Sequence, residues 1–109
     1  MARARRETIP EEVKKAAGEI VDAFNKSFIK DPTRYYRTRY RGRFLYLDRL
    51  YYGIWGPVCR LEYAGRMDEW DFAIYKYSDE RYDPDEWLFP GSGQVDGTIE
   101  GAMKAGLEA

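Results

Sequence analysis

The sequence predicts an α+β domain: a four-stranded antiparallel sheet, a simple meander, with an N-terminal and a C-terminal helix packed on one face, in the order α-β-β-β-β-α. Three observations carry this expectation. Apolar residues recur at three- and four-residue spacing near both ends of the chain. Apolar and polar residues alternate through the middle. Breaks rich in glycine, proline and aspartate separate the alternating runs. Short connections favour antiparallel pairing, and two amphipathic helices can cover one sheet face while the other meets water. A chain of 109 residues is expected to form one domain. We place that domain at residues 8–109, behind a flexible basic arm, residues 1–7, that carries Arg3, Arg5 and Arg6.

The first helix is expected to start at Thr8-Ile9-Pro10-Glu11. Thr8 at N-cap and Glu11 at N3 make a capping box, and proline is tolerated in a first turn. Val13, Ala16, Ala17, Ile20, Ala23, Phe24 and Phe28 then form one apolar stripe. Asp31-Pro32 ends the helix, because the residue before proline is pushed out of the α region.

A hairpin follows. With Arg41-Gly42 as a two-residue loop, Tyr40 pairs with Arg43, Arg39 with Phe44 and Arg37 with Tyr46. Tyr36, Thr38, Tyr40, Leu45 and Leu47 then share the core face, and Arg37, Arg39, Phe44, Tyr46 and Asp48 share the other. Arginine is a poor first residue of a type I′ turn, so a bulged or longer loop is the alternative. Gly53–Pro57 reads as a connection. The third strand spans Val58 to Tyr63, with Cys59, Leu61 and Tyr63 inward and Arg60 and Glu62 outward. The fourth spans Trp70 to Tyr77, where Trp70, Phe72 and Ile74 alternate with Asp71, Ala73 and Tyr75.

Asp79 to Glu86 reads as an acidic turn region, with Asp83 and Pro84 opening a short helical turn. Asp96 or Thr98 caps a second helix that runs through Glu108, with Ile99, Ala102, Met103, Gly106 and Leu107 on its apolar face. Gly101 and Gly106 each lower intrinsic helicity by about 1 kcal/mol relative to alanine. Packing must therefore hold this helix, and its small residues allow a close approach.

Composition narrows the chemistry. No apolar run approaches the roughly 18 residues of a membrane span, and the basic N-terminus lacks the apolar stretch of a secretory signal. The single cysteine, Cys59, excludes an internal disulfide and suits a reducing compartment, so a cytoplasmic location is expected. Histidine is absent, which removes the commonest general base and metal ligand, together with any nucleophile–imidazole pair. The acids Asp79, Glu80, Asp83, Asp85 and Glu86 are hard oxygen donors without an EF-hand's spacing. Asp68, Glu69 and Asp71 sit near a turn, where water keeps carboxylates ordinary. Gly91, Gly93 and Gly97 precede a helix but lack the spacing and lysine of a phosphate loop. A non-enzymatic domain without cofactor or metal is the expectation.

The functional signal lies between Arg34 and Tyr52, in RYYRTRYRGRFLYLDRLYY. Arg34, Arg37, Arg39, Arg41 and Arg43 occur there with no acid among them, interleaved with aromatic residues. Single-stranded nucleic acid asks for cations against phosphates and flat rings against bases, each stacked base contributing roughly 1–3 kcal/mol. Arg37, Arg39, Arg41, Arg43, Phe44 and Tyr46 supply both and are the candidate nucleic-acid-binding residues. Residues 1–43 hold 12 basic and 6 acidic residues, and residues 44–109 hold 6 and 13, giving +6 against −7. The overall pI near 5.5 is unlike that of a dedicated nucleic-acid binder. Two further readings stand beside the first. Tyr, Trp and Arg are enriched at protein interfaces, so the aromatic sheet face equally suits a homodimer or another protein partner. The same residues also stabilise a solvated hairpin by themselves.

Overall fold

In the computed structural model, which describes residues 8–109, the chain forms helix α1 (Glu11–Phe24), strands β1 (Tyr36–Arg41), β2 (Phe44–Tyr51), β3 (Ile54–Tyr63), β4 (Trp70–Lys76) and β5 (Arg81–Asp83), and helix α2 (Ile99–Glu108). The strands make one antiparallel sheet in the order β1-β2-β3-β4-β5. The expected α+β class, antiparallel meander and terminal helices are therefore present, but with five strands instead of four. The expected arm at residues 1–7 lies outside the described residues.

β5 was missed because three residues are too short to alternate visibly, and they sit inside the acidic stretch. Tyr82 pairs with Tyr75 and Asp83 with Ile74. Asp83 caps a local turn as expected, its side chain accepting the Asp85 amide at 2.9 Å, but no helix follows.

α1 begins later than the capping box implied. Pro10 is its N-cap, with no side-chain cap bond. Ile9 is buried and its amide donates to the Gly42 carbonyl at 3.1 Å, which ties the segment before the helix to the β1–β2 turn. Thr8 consequently caps nothing. Past Phe24 the helix widens into a π turn (Asn25–Ile29) and ends at Lys30, in left-handed backbone with φ 66°. Asn25 explains the widening. Its buried side chain donates to Tyr36 O at 3.0 Å and accepts from Tyr36 N at 2.9 Å, tying the helix to the first residue of β1. The buried residues of α1 are Val13, Ala17, Val21 and Phe24, whereas Phe28 of the expected stripe is 59% exposed.

The hairpin loop is Gly42-Arg43, and Tyr40 pairs with Leu45, Arg39 with Tyr46 and Arg37 with Asp48. Gly42 takes φ 61°, as the first central residue of a type II′ turn requires. An arginine there would strain, so the loop shifts by one residue. Partners move by two positions on β2, and the two faces stay as expected. The next turn, Tyr52-Gly53, has φ 50° and 80°, the type I′ pattern. β3 accordingly begins at Ile54 and absorbs the expected connection. Leu47 pairs with Cys59 and Asp48 with Pro57, so Val58 is bulged out of register.

Both helices cover the face that carries Tyr36, Leu45, Leu47, Cys59, Leu61, Phe72 and Ile74. Tyr36 donates to Met103 O of α2 at 2.8 Å, and Tyr40 to Lys14 O of α1 at 3.1 Å. α2 is capped by Thr98, whose hydroxyl accepts the Gly101 amide at 3.0 Å. Ala105 is buried with Ile99, Ala102, Met103 and Gly106, while Leu107 of the expected apolar face is 37% exposed. A Cβ on Gly106 would lie 2.7 Å from Val58 Cγ1 and closer still to the Tyr36 hydroxyl. The helix can approach the sheet this closely only because glycine has no side chain.

Candidate functional site

The face of the sheet away from the helices carries Arg37, Arg39, Arg41, Phe44, Tyr46, Asp48, Trp55, Arg60, Ala73, Tyr75 and Tyr82, as strand alternation and register require. Arg37, Arg39 and Arg41 are exposed, and Phe44, Tyr46, Tyr75 and Tyr82 are half-buried. The rings form a continuous chain: Phe44–Tyr46 at 6.1 Å between centroids, Tyr46–Tyr82 at 5.2 Å, Tyr82–Tyr75 at 5.0 Å and Tyr75–Tyr77 at 4.9 Å. Edge-to-face packing dominates after the first pair. Tyr46 and Tyr82 meet although β3 and β4 run between their strands. In the rows between them Arg60 of β3 faces Ala73 of β4, which is 3% exposed on this outward face.

Guanidinium groups lie over several rings: Arg39 over Tyr46 at 4.9 Å, Arg60 over Phe44 at 4.4 Å and over Tyr82 at 5.6 Å, and Arg37 over Trp55 at 4.6 Å. Most of the hairpin charge is answered locally. Asp48, 3% exposed, accepts from Arg37 Nε at 3.1 Å and from Arg39 Nη2 at 3.0 Å. Its hydrogen bond holds the Arg39 pKa above the ordinary arginine value. Arg43 lies in the turn, with Nε 3.0 Å from Glu62 and Nη2 donating to Tyr63 O at 3.2 Å. Arg41 and Arg60 make no ion pair among the described residues.

The candidate residues therefore come together, though not as an even row. A shallow depression at the hairpin end is lined by Arg41, Gly42, Arg43, Phe44 and Tyr46. Arg37 and Arg39 stand farther along β1, both turned onto Asp48. The nucleic-acid candidates read from the sequence left out Arg60, Trp55, Tyr75 and Tyr82, although Arg60 was placed outward and Tyr75 figured in the protein-interface reading. The outward parity of Arg60 was readable in β3, and Tyr75 alternates with core residues in β4. Tyr82 was hidden in the acidic stretch.

Other candidate chemistries can be placed. Lys76 Nζ stands 3.2 Å from Glu86, 3.5 Å from Asp79 and 3.9 Å from Asp83, so an ammonium occupies the centre of the acidic cluster. The Glu86 hydrogen bond and the Asp79 charge raise the pKa of Lys76. No cluster of three or more metal-ligating side chains occurs among the described residues. Asp68 pairs with Arg66 at 3.2 Å on the surface. Cys59 is fully buried, and burial pushes its thiol pKa up, the opposite of an activated nucleophile. Ahead of α2, the Thr98 amide is taken by Asp96 and the Gly101 amide by Thr98, so the glycine-rich loop leads into donors already in use. No helix of the described residues is long and apolar enough to cross a membrane.

No protein-family model, no curated protein and no solved structure matches this chain.

Proposed function

We propose that the protein is a non-enzymatic binding module of a reducing, cytoplasmic setting that engages single-stranded nucleic acid on the outward sheet face, with the β1–β2 hairpin end as the point of contact. One observation carries this reading: the depression lined by Arg41, Gly42, Arg43, Phe44 and Tyr46 gathers four of the six candidate residues, and Arg41 beside it is unmatched by acid among the described residues. Arg60, stacked on Phe44, supplies a second guanidinium. A base can stack on a guanidinium plane as well as on a ring. With Arg41 and Arg60 as the available cations, the logarithm of affinity against the logarithm of salt should have a slope of about −1.4, from roughly 0.7 per neutralised phosphate of a single strand. Fluorescence anisotropy with labelled oligothymidylate at a series of salt concentrations tests this. Arg41→Gln combined with Arg60→Gln should flatten the slope. Absence of binding at low salt, or binding indifferent to the double substitution, overturns the reading.

A second reading is favoured by a different observation. Asp48 and Glu62 answer three of the hairpin arginines, which leaves a surface of modest net charge rich in Tyr, Trp and Arg, the composition of a protein interface. Light scattering separates the two readings. Dimers at micromolar concentration that are dispersed by Tyr46→Ser support self-association through this face. A monomer throughout removes that form of it.

A further inference from the structure

β3 and β4 stop pairing at Cys59 and Ile74. Beyond that point the bulge at Val58 turns β3 aside, and the gap is spanned by a side chain: the Tyr77 hydroxyl donates to Pro57 O at 3.0 Å. The splayed strands and the C-terminal turn of α2 line a half-open cavity of about 240 Å³, walled chiefly by Arg49, Tyr51, Val58, Ile74, Tyr77 and Gly106.

Arg49 is the anomaly. It projects from the helix-facing side of β2 and is only 8% exposed. Its Nε donates to Arg34 O at 3.1 Å, and its guanidinium carbon lies 5.6 Å from the Tyr36 ring centre and 5.5 Å from that of Tyr51. A guanidinium has five N–H donors. No carbonyl or carboxylate of the described residues takes the four on its Nη atoms, and no acid stands within ion-pair distance. Asp31 borders the open groove on the other side of Arg49. However, its carboxylate is engaged by the Thr33 amide and hydroxyl at 3.0 and 2.7 Å. Its Nη atoms are not among the buried atoms left without a partner, so the guanidinium still reaches solvent with most of its donors open to an anion.

We infer that this cavity binds a small organic carboxylate, the anion forked onto Arg49 and a flat apolar body held between Tyr51, Val58, Ile74 and Tyr77. One guanidinium suits a monoanion and grips a carboxylate in bidentate fashion. The size also fits: an apolar cavity of about 150 Å³ accepts benzene, and drug-sized ligands need about 300 Å³ or more, so the space here matches one ring with a short acid arm. The site is separate from the hairpin end, and neither proposal depends on the other.

Phenylacetate is the probe, titrated into the full chain and followed by backbone amide and Arg Nε–H resonances. Saturable shifts should be confined to Arg49, Tyr51, Val58, Ile74, Tyr77, Gly106 and their immediate neighbours. Phenylacetamide, of the same shape without the charge, should bind about tenfold more weakly or worse. Arg49→Lys keeps the charge and removes the fork, and should weaken phenylacetate severalfold. Because Arg49 also supports Arg34 O, the exposed wall residue supplies an independent variant: Tyr77→Ala should weaken binding without unfolding the core. Absence of saturation, equal binding of acid and amide, shifts scattered over the surface, or affinity unmoved in both Arg49→Lys and Tyr77→Ala would each overturn the inference and leave Arg49 a purely structural arginine. Equal binding of inorganic phosphate would do the same, reducing the site to an unspecific cation.

Discussion

Tyr46 of β2 and Tyr82 of β5 pack edge to face at 5.2 Å with two strands running between them. The outward residue of β4 between their strands, Ala73, is small and buried, which leaves room for the rings. The outward face thereby acquires a small aromatic cluster of its own, with the guanidinium of Arg60 set into it. Ala73→Leu should pry the rings apart and cost about 1–3 kcal/mol, the usual range for overfilling a packed site. Urea denaturation measures it, and a neutral result would mean that the cluster tolerates rearrangement.

Asp48 is the counterweight to the hairpin arginines. Asp48→Asn removes a buried carboxylate that serves two guanidiniums. Arg37 and Arg39 are each more than two-fifths exposed, so screening moderates the loss to about 1–3 kcal/mol. The same change frees two cations. If the outward face binds single-stranded nucleic acid, the salt slope should steepen from about −1.4 to about −2.8. An unchanged slope in a folded variant would show that these arginines face no phosphate.

Tyr52 is 91% exposed and holds φ 50° in the β2–β3 turn. Asparagine tolerates that backbone, and Asn-Gly is the preferred type I′ pair. Tyr52→Asn should raise stability by about 0.5–1 kcal/mol, a rise of several degrees in Tm for a domain of this size. A fall would reveal that the Tyr52 ring contributes more than its neighbour Tyr51 suggests.

Two helical glycines should respond with opposite signs. A Cβ on Gly18 meets nothing within 4 Å, so Gly18→Ala should stabilise α1 by about 1 kcal/mol through propensity. A Cβ on Gly106 meets Val58 and the Tyr36 hydroxyl that holds Met103 O. Overpacking of about 1–3 kcal/mol should outweigh the propensity gain there. Thermal unfolding of the pair checks both signs.

Acid should loosen the start of α2. The Thr98 hydroxyl and amide bond Asp96 at 2.6 and 3.0 Å and lower its pKa. A depressed folded value means that the contribution is present above the unfolded carboxylate pKa of about 3.9 and fades as pH falls through the lower folded value. Denaturation midpoints of the wild type and Asp96→Asn should therefore differ at neutral pH and converge in acid. A constant gap at every pH would show that the carboxylate's charge is not what matters.

Much of the candidate site was legible because strand parity is a local property. Arg37, Arg39, Phe44 and Tyr46 had to share a face once Leu45 and Leu47 were placed inward, and a loop shifted by one residue left that assignment intact. The loop itself turned on one residue's tolerance for positive φ, which composition flagged but did not resolve. β5, the bulge at Val58 and the π turn at Asn25 left no periodic trace. Each is a departure of one to five residues whose reason lies in a partner elsewhere in the fold: Tyr75 for Tyr82, α2 for Val58, Tyr36 for Asn25.

Alternation and helical spacing, both set by backbone geometry, were enough to determine the fold class, the covered face and the arginine–aromatic makeup of the uncovered one. Only the tertiary structure decided which of those arginines are answered by acid, that Tyr46 and Tyr82 pack edge to face across two strands, and that Arg49 is drawn inward beside a cavity. Those outcomes depend on contacts between residues far apart in the chain, because charge pairing, ring packing and burial respond to distance in space rather than to spacing in sequence.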